Sequence, residues 1–241
     1  MMILSGNKER IVHTIKMAKD NNKEVVLMRF KNRIDAGIQL AELLQKYAGD
    51  DLVVYALPRG GVPLGVEIAK KLQAPFDLVI TKKIGHPGNP EYALCAIAED
   101  GDPVCNQDEI GYIDNHWLQE EIDRVRVEIS RRREKYFGEI THPDIAGKTA
   151  IIVDDGIATG YTMFAAIDEI KKRNPGKIVV AIPVTPEDTA RELRKITDDL
   201  VSVEIDPFYL GAVGAYYDDF SQVEDEEVIY LIKSLKEKRE D

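Results

Sequence analysis

A chain of 241 residues can bury roughly 70–75% of its unfolded surface, so it needs no disulfide or metal staple. With 44% hydrophobic and 31% charged residues it is ordinary globular sequence, which excludes wholesale disorder. The net charge of −11 disfavours a nucleic acid partner, because duplex binding rests on neutralising phosphates with Lys and Arg. The acid is uneven: residues 204–241 hold eleven acidic and four basic residues, and the rest of the chain is nearly balanced, leaving room for a local anion pocket. Apolar runs such as 178–183 are far too short to cross a bilayer, and MMILSGNKER has no secretory h-region. A cytoplasmic protein without a membrane partner is expected. Cys95 and Cys105 match neither a disulfide framework nor a zinc cluster and read as free thiols.

In chain order, residues 7–20 place Ile11, Ile15 and Ala18 at helical spacing and predict a short amphipathic helix. A second helix is predicted over 34–47, with Ile34, Ile38, Ala41 and Leu43 or Leu44 on one face. A rhythm of short β-branched runs and amphipathic segments follows: 52–58, 61–72, 77–84, 93–100, a charged helix at 114–137, then 149–155, 161–173, 177–184, 186–196 and 200–205. Alternation of this kind predicts βαβ crossovers and an α/β fold with a mainly parallel, doubly wound sheet, its strands apolar throughout because helices cover both faces. No linker rich in Pro, Gly or Ser divides the chain. One domain is expected, with residues 1–27 as a helical extension and 206–241 as a cap with a C-terminal helix.

Ligands in such folds sit beyond the carboxyl ends of the strands. After the predicted strand 149–153 stands Asp154-Asp155-Gly156-Ile157-Ala158-Thr159-Gly160-Tyr161-Thr162, opening a helix. Loop amides and the helix dipole cradle a phosphate, Thr159 and Thr162 add hydroxyls, and Gly160 permits close backbone approach. Adjacent carboxylates repel a phosphate, so their partners are vicinal hydroxyls or a divalent cation, which a ribose 5-phosphate with Mg²⁺ supplies. After the strand at 52–57, Pro58-Arg59-Gly60-Gly61 makes a turn of exposed amides around one guanidinium. After 77–82, Lys82, Lys83 and GHPGNPEY (85–92) form a cationic loop with a returning strand.

AIIVDDGIATGYT resembles the phosphoribosyl pyrophosphate (PRPP) motif of the type I phosphoribosyltransferases. The order of pyrophosphate loop, flexible flap, PRPP loop and C-terminal hood is similar too, over roughly residues 28–230. RFKNRIDAG, ALPRGGVPLG and GHPGNPEYALCAIAEDG look like an uncharacterised bacterial and archaeal branch. The resemblance implies displacement of pyrophosphate from PRPP by a nitrogenous acceptor, a base in kind, with inversion at C1 of the ribose. It implies that Asp154 and Asp155 hold the ribose hydroxyls, that the loop Ala158 to Thr162 binds the 5-phosphate, and that Gly156 and Ile157 also belong to the PRPP-binding set. Arg59 with Gly60 and Gly61 would bind pyrophosphate, while Lys82 or Lys83, and Tyr92 from the flap, would neutralise the leaving group. Mg²⁺ would be carried mainly by PRPP oxygens, and a homodimer is common among such proteins. The peptide bond before Arg59 is expected to be cis. In the hood, Phe208, Tyr216 and Tyr217, with Tyr209 and Phe220, offer stacking surfaces for a planar base. Ala158 stands where enzymes acting on 6-oxopurines carry an acid, which argues against hypoxanthine or guanine and leaves adenine, with Glu91 as its acid, as the runner-up to an unknown acceptor.

His86 lies in the flap, while His13, His116 and His142 are scattered without evident partners. Arg131, Arg132 and Arg133 sit among acids and read as a solvated, ion-paired helix face rather than an RNA patch. A PRPP- or nucleotide-sensing regulator without turnover is the alternative on the same fold. The flap favours the enzyme, because sequestering PRPP from water serves chemistry more than sensing.

Overall fold

The computed structural model describes residues 14–16, 26–138, 142–158 and 160–240, with backbone alone at 14–16, 26–28 and 236–240. The first described element is β1 (Thr14–Lys16), paired antiparallel with β2 (Val26–Met28). The helix expected over 7–20 otherwise lies outside the described residues. At 14–16 it is replaced by strand, in keeping with the β-branched Thr14 and Ile15.

Then come α1 (Arg33–Leu43), continued by a 3₁₀ turn to Tyr47, β3 (Leu52–Ala56), α2 (Gly61–Leu72) and β4 (Phe76–Leu78). Next are β5 (Lys82–His86), β6 (Asn89–Ile97), β7 (Val104–Cys105), the single turn α3 (Gln107–Ile110) and the long α4 (Asn115–Phe137). The chain ends with β8 (Thr149–Val153), α5 (Tyr161–Lys172), β9 (Lys177–Pro186), α6 (Glu187–Ile196), β10 (Asp199–Asp206) and α7 (Asp225–Glu240).

Five strands form an all-parallel sheet in the order β10-β9-β8-β3-β4. Successive residues of β3 feed opposite faces. Leu52, Val54 and Ala56 enter a core shared with α1, α2 and α7, whereas Val53 and Tyr55 enter one shared with α5 and α6. Burial on both faces is what the unbroken apolar strands require. Chain order reverses between β3 and β8, so the crevice opens there, between the loops that leave these two strands.

The expected strand over 77–84 divides. β4 ends at Leu78, and after three residues β5 begins an antiparallel hairpin with β6, so Lys82 and Lys83 open the flap instead of following a sheet strand. β7 joins β6 with Cys95 opposite Cys105, and the two sulfurs are bonded. The free-thiol expectation is therefore corrected: the pairing depends on a two-residue strand that carries no periodic signal.

The reading of residues 131–133 is corrected at its last member. Arg133 is only 1% exposed, and its Nη2 donates to both carboxylate oxygens of Asp77, at 2.7 and 2.9 Å. His142 is no bystander, since its Nδ1 lies 3.0 Å from Asp77 Oδ2 and its Nε2 3.4 Å from Glu99.

Candidate functional site

Two loops meet at the crevice. The Leu57 amide donates to the Val153 carbonyl at 2.9 Å, tying the end of β3 to the end of β8. The chain then turns through a cis Pro58–Arg59 peptide, as expected, into α2. Gly61 presses on β8 so closely that a Cβ there would stand 2.6 Å from the Val153 carbonyl oxygen. On the other side, a Cβ on Gly60 would fall 2.0 Å from Asp155 Oδ2. The glycines of the turn are thus required by contact with the end of β8 and the acidic pair, a relation that no local pattern displays.

After β8, Asp155 donates its amide to Asp154 Oδ1 at 2.9 Å. Burial pushes the Asp154 carboxyl well above the usual carboxylate range, and the charge of Asp155 adds to it. Burial raises Asp155 as well, opposed by the guanidinium of Arg33. Gly156 packs against Val213, leaving no room for a Cβ. Ile157 departs from its expected role: its side chain is buried in the core beneath α5 and its amide is used by the Val184 carbonyl at 3.2 Å, so it anchors the loop and has no amide to offer a phosphate. Ala158 is exposed, and its carbonyl accepts from the Thr189 hydroxyl at 3.0 Å. Thr159 lies outside the described residues. Gly160, with φ of +83°, starts α5 without a side-chain cap, which leaves the amides of the first turn, around Tyr161 and Thr162, suited to an anion.

The cationic residues are brought near with partners of their own. Arg59 Nη1 lies 3.2 Å from Glu224 and 3.7 Å from Asp225, at the acidic start of α7. Lys82 pairs with Glu128 of α4, and burial with the nearby arginines lowers its pKa. Lys83 is exposed. Tyr92 bonds Glu109 at 2.9 Å.

In the hood, the base-stacking expectation for Tyr216 and Tyr217 is corrected. Both rings are buried, and burial raises both phenols. The Tyr216 hydroxyl donates to Asp206 at 2.5 Å, and that of Tyr217 to the Asp155 carbonyl at 2.6 Å. Tyr217 packs between Phe30 and Phe220, and Tyr216 on Tyr209. A buried phenol satisfied in this way is a structural prop. Phe208 is 86% exposed, facing solvent.

The residue that sequence reasoning passed over is Arg33. Its Nε lies 2.8 Å from Asp155 Oδ2 and its Nη1 2.6 Å from the Ser221 carbonyl, while its Cζ stands 3.8 Å from the Phe220 ring centroid. A signal existed: a cation at the first position of a helix opposes the helix dipole and calls for a partner elsewhere.

Fold and crevice together place the chain among α/β proteins of the phosphoribosyl transferase type. Residues 31–219 match the family described as the phosphoribosyl transferase domain, and the chain belongs to that family. Two Mycobacterium tuberculosis proteins, each provisionally named a phosphoribosyl transferase, are 38% identical over 205 residues, covering 84% of this chain and 46% of theirs. The chain thus spans about half the length of the curated relatives it matches. Among solved structures, TT1426 from Thermus thermophilus superimposes with a TM-score of 0.73 at 36% identity, covering 86% of this chain and 99% of that one. Among the described residues, no helix is long and apolar enough to cross a membrane.

Proposed function

We propose that the protein transfers the phosphoribosyl group of PRPP to a nitrogenous acceptor, a base in chemical class. The observation that carries this reading is the contact between the two crevice loops, with Gly60 against Asp155. A sugar whose C1 bears pyrophosphate and whose C2 and C3 bear hydroxyls needs an anion-binding turn and a pair of acceptors side by side. In the reaction the bond from C1 to the pyrophosphate oxygen breaks, a C1–N bond forms on the opposite face, and the acceptor nitrogen loses its proton. Asp154 and Asp155 hold the hydroxyls, the start of α5 binds the 5-phosphate, and Arg59 with the turn amides binds the departing pyrophosphate. Positioning and charge stabilisation then carry the catalysis.

Mg²⁺ carried on the PRPP oxygens would need few protein ligands. Bound there, the ion would neutralise the pyrophosphate. The test is pyrophosphate release from PRPP with Mg²⁺ across a panel of bases including adenine and hypoxanthine. Release that depends on an acceptor supports the reading, and its absence across a broad panel with PRPP still bound opposes it.

That last outcome is the second reading, a PRPP- or nucleotide-binding regulator without turnover. One observation favours it: Arg59 and Lys82, the cations suited to a leaving group, both hold carboxylate partners.

A further inference from the structure

The segment before α1 and the hood are zipped into one unit. The Phe30 amide donates to the Tyr216 carbonyl at 2.8 Å, and the amides of Asp218 and Asp219 donate to the carbonyls of Phe30 at 2.8 Å and Lys31 at 3.0 Å. Asn32 caps α1 by accepting from the Asp35 amide at 3.0 Å, while Asp35 accepts from the Lys31 amide at 3.1 Å, and the two bonds together fix the first turn. Arg33 therefore leaves a rigid base. Its guanidinium spans from the hood, through the Ser221 carbonyl and the Phe220 ring, to Asp155. The pair is well shielded, with the side chains 11% and 14% exposed. Asp155 is gripped a second time by the same unit, where the Tyr217 hydroxyl bonds its carbonyl.

We propose that Arg33 is a positioning residue for the ribose site, fixing the Asp155 carboxylate in place and balancing the charge of the acidic pair. This rests on the reading of Asp155 as a ribose-hydroxyl acceptor. Two adjacent carboxylates next to a phosphate are an electrostatic cost, and one shielded cation offsets part of it. Arg33 bonds the same Oδ2 that Gly60 abuts, so one contact attracts this oxygen and the other limits where it can go. A guanidinium suits the task because its planar fork serves Asp155 and Ser221 at once while its face stacks on Phe220. Arg33 acts through Asp155, so its influence falls on ligands that carry the ribose diol and spares those that do not.

The experiment is calorimetry of PRPP, ribose 5-phosphate and Mg²⁺-pyrophosphate with the wild-type protein, Arg33→Gln and Arg33→Lys, each checked for folding by circular dichroism. Arg33→Gln is expected to weaken PRPP and ribose 5-phosphate about tenfold while leaving pyrophosphate within about twofold, and Arg33→Lys to recover part of the loss. Equal affinity of Arg33→Gln and wild type for PRPP overturns the assignment. So does a parallel loss of all three ligands, which marks a merely structural role. Failure of the wild-type protein itself to bind PRPP and ribose 5-phosphate removes the ribose-site reading, and the role of Arg33 with it. Arg33→Lys keeps the test decisive where the glutamine variant does not fold: wild-type-like pyrophosphate binding with weakened ribose 5-phosphate supports the proposal, and unchanged ribose 5-phosphate binding opposes it.

Discussion

Gly60 and Asp155, 95 positions apart in sequence, meet so closely that a single added methyl group would stand 2.0 Å from the Asp155 carboxylate oxygen. The first variant to make is therefore Gly60→Ala. The carboxylate must rotate away or the turn must lift, and either displaces a ligand held between them. A misplacement near 1 Å in a positioning site costs on the order of 100-fold. We expect PRPP binding to weaken at least tenfold with little change in melting temperature, since the turn lies outside the packed cores. Calorimetry on the folded variant checks this, and undiminished affinity would show that the two loops do not share a ligand.

Asp154 supplies a prediction of opposite sign for stability and binding. Its folded pKa lies above the unfolded value, so its contribution to stability is present below the unfolded value and is lost as pH rises through the folded one. At neutral pH the buried Asp154 carboxyl is thus a cost to the fold. Asp154→Asn keeps an oxygen to accept the Asp155 amide while removing the charge. It should raise stability by on the order of 1 kcal/mol, measured by denaturation at pH 7.5, and weaken PRPP binding. A variant destabilised at that pH would show that the fold depends on the charge.

The parallel sheet and the flanking helices were legible because period and apolar runs are local signals. The loop 154–162 was legible as a motif, yet the role of Ile157 within it was not, because its amide is claimed by Val184 on a neighbouring strand. The split of 77–84 escaped notice because Val79 and Ile80 are as apolar as strand residues while carrying the chain between two sheets. Tyr216 and Tyr217 had the composition of a stacking platform, but aromatic rings pack a core equally well, and only the bonds to Asp206 and Asp155 separate the two uses. Arg33 drew no reading and Arg133 read as surface charge because their partners, Asp155 and Asp77, lie 122 and 56 positions away.

His142 gives the network around Asp77 a measurable pH dependence. Hydrogen bonds to Asp77 and then Glu99 raise its pKa, against burial and the charges of Arg133 and Arg173. Glu169 and Tyr55 complete the surroundings; Glu169 pairs with Arg173 at 2.6 Å, and burial pushes the Tyr55 phenol up to about 12. A histidine whose folded value exceeds its unfolded value of about 6.5 contributes stability that is fully present below that value and lost as pH rises through the folded one. The melting-temperature gap between wild type and His142→Gln should therefore widen as pH falls from 8.5 to 6. A gap that stays constant over that range would mean that the imidazole charge contributes nothing.

The Cys95–Cys105 bond closes a loop with a sequence separation of 10, at the base of the flap where β6 enters the core. Cross-linking a loop of that size restrains the unfolded chain by about 2–3 kcal/mol. In a chain of this length that corresponds to a melting temperature higher by roughly 5–10 °C than in its absence. Cys105→Ser is the suitable variant, because Cys95 lies fully buried and its free thiol then packs as a small apolar group. Melting of wild type with and without dithiothreitol, beside Cys105→Ser, measures the contribution. Reduced wild type and the serine variant should melt together and below the oxidised protein. If all three melt alike, the bond contributes nothing to global stability, and packing in the core, with Ile84, Leu94 and Ile97 among its members, holds the flap base by itself.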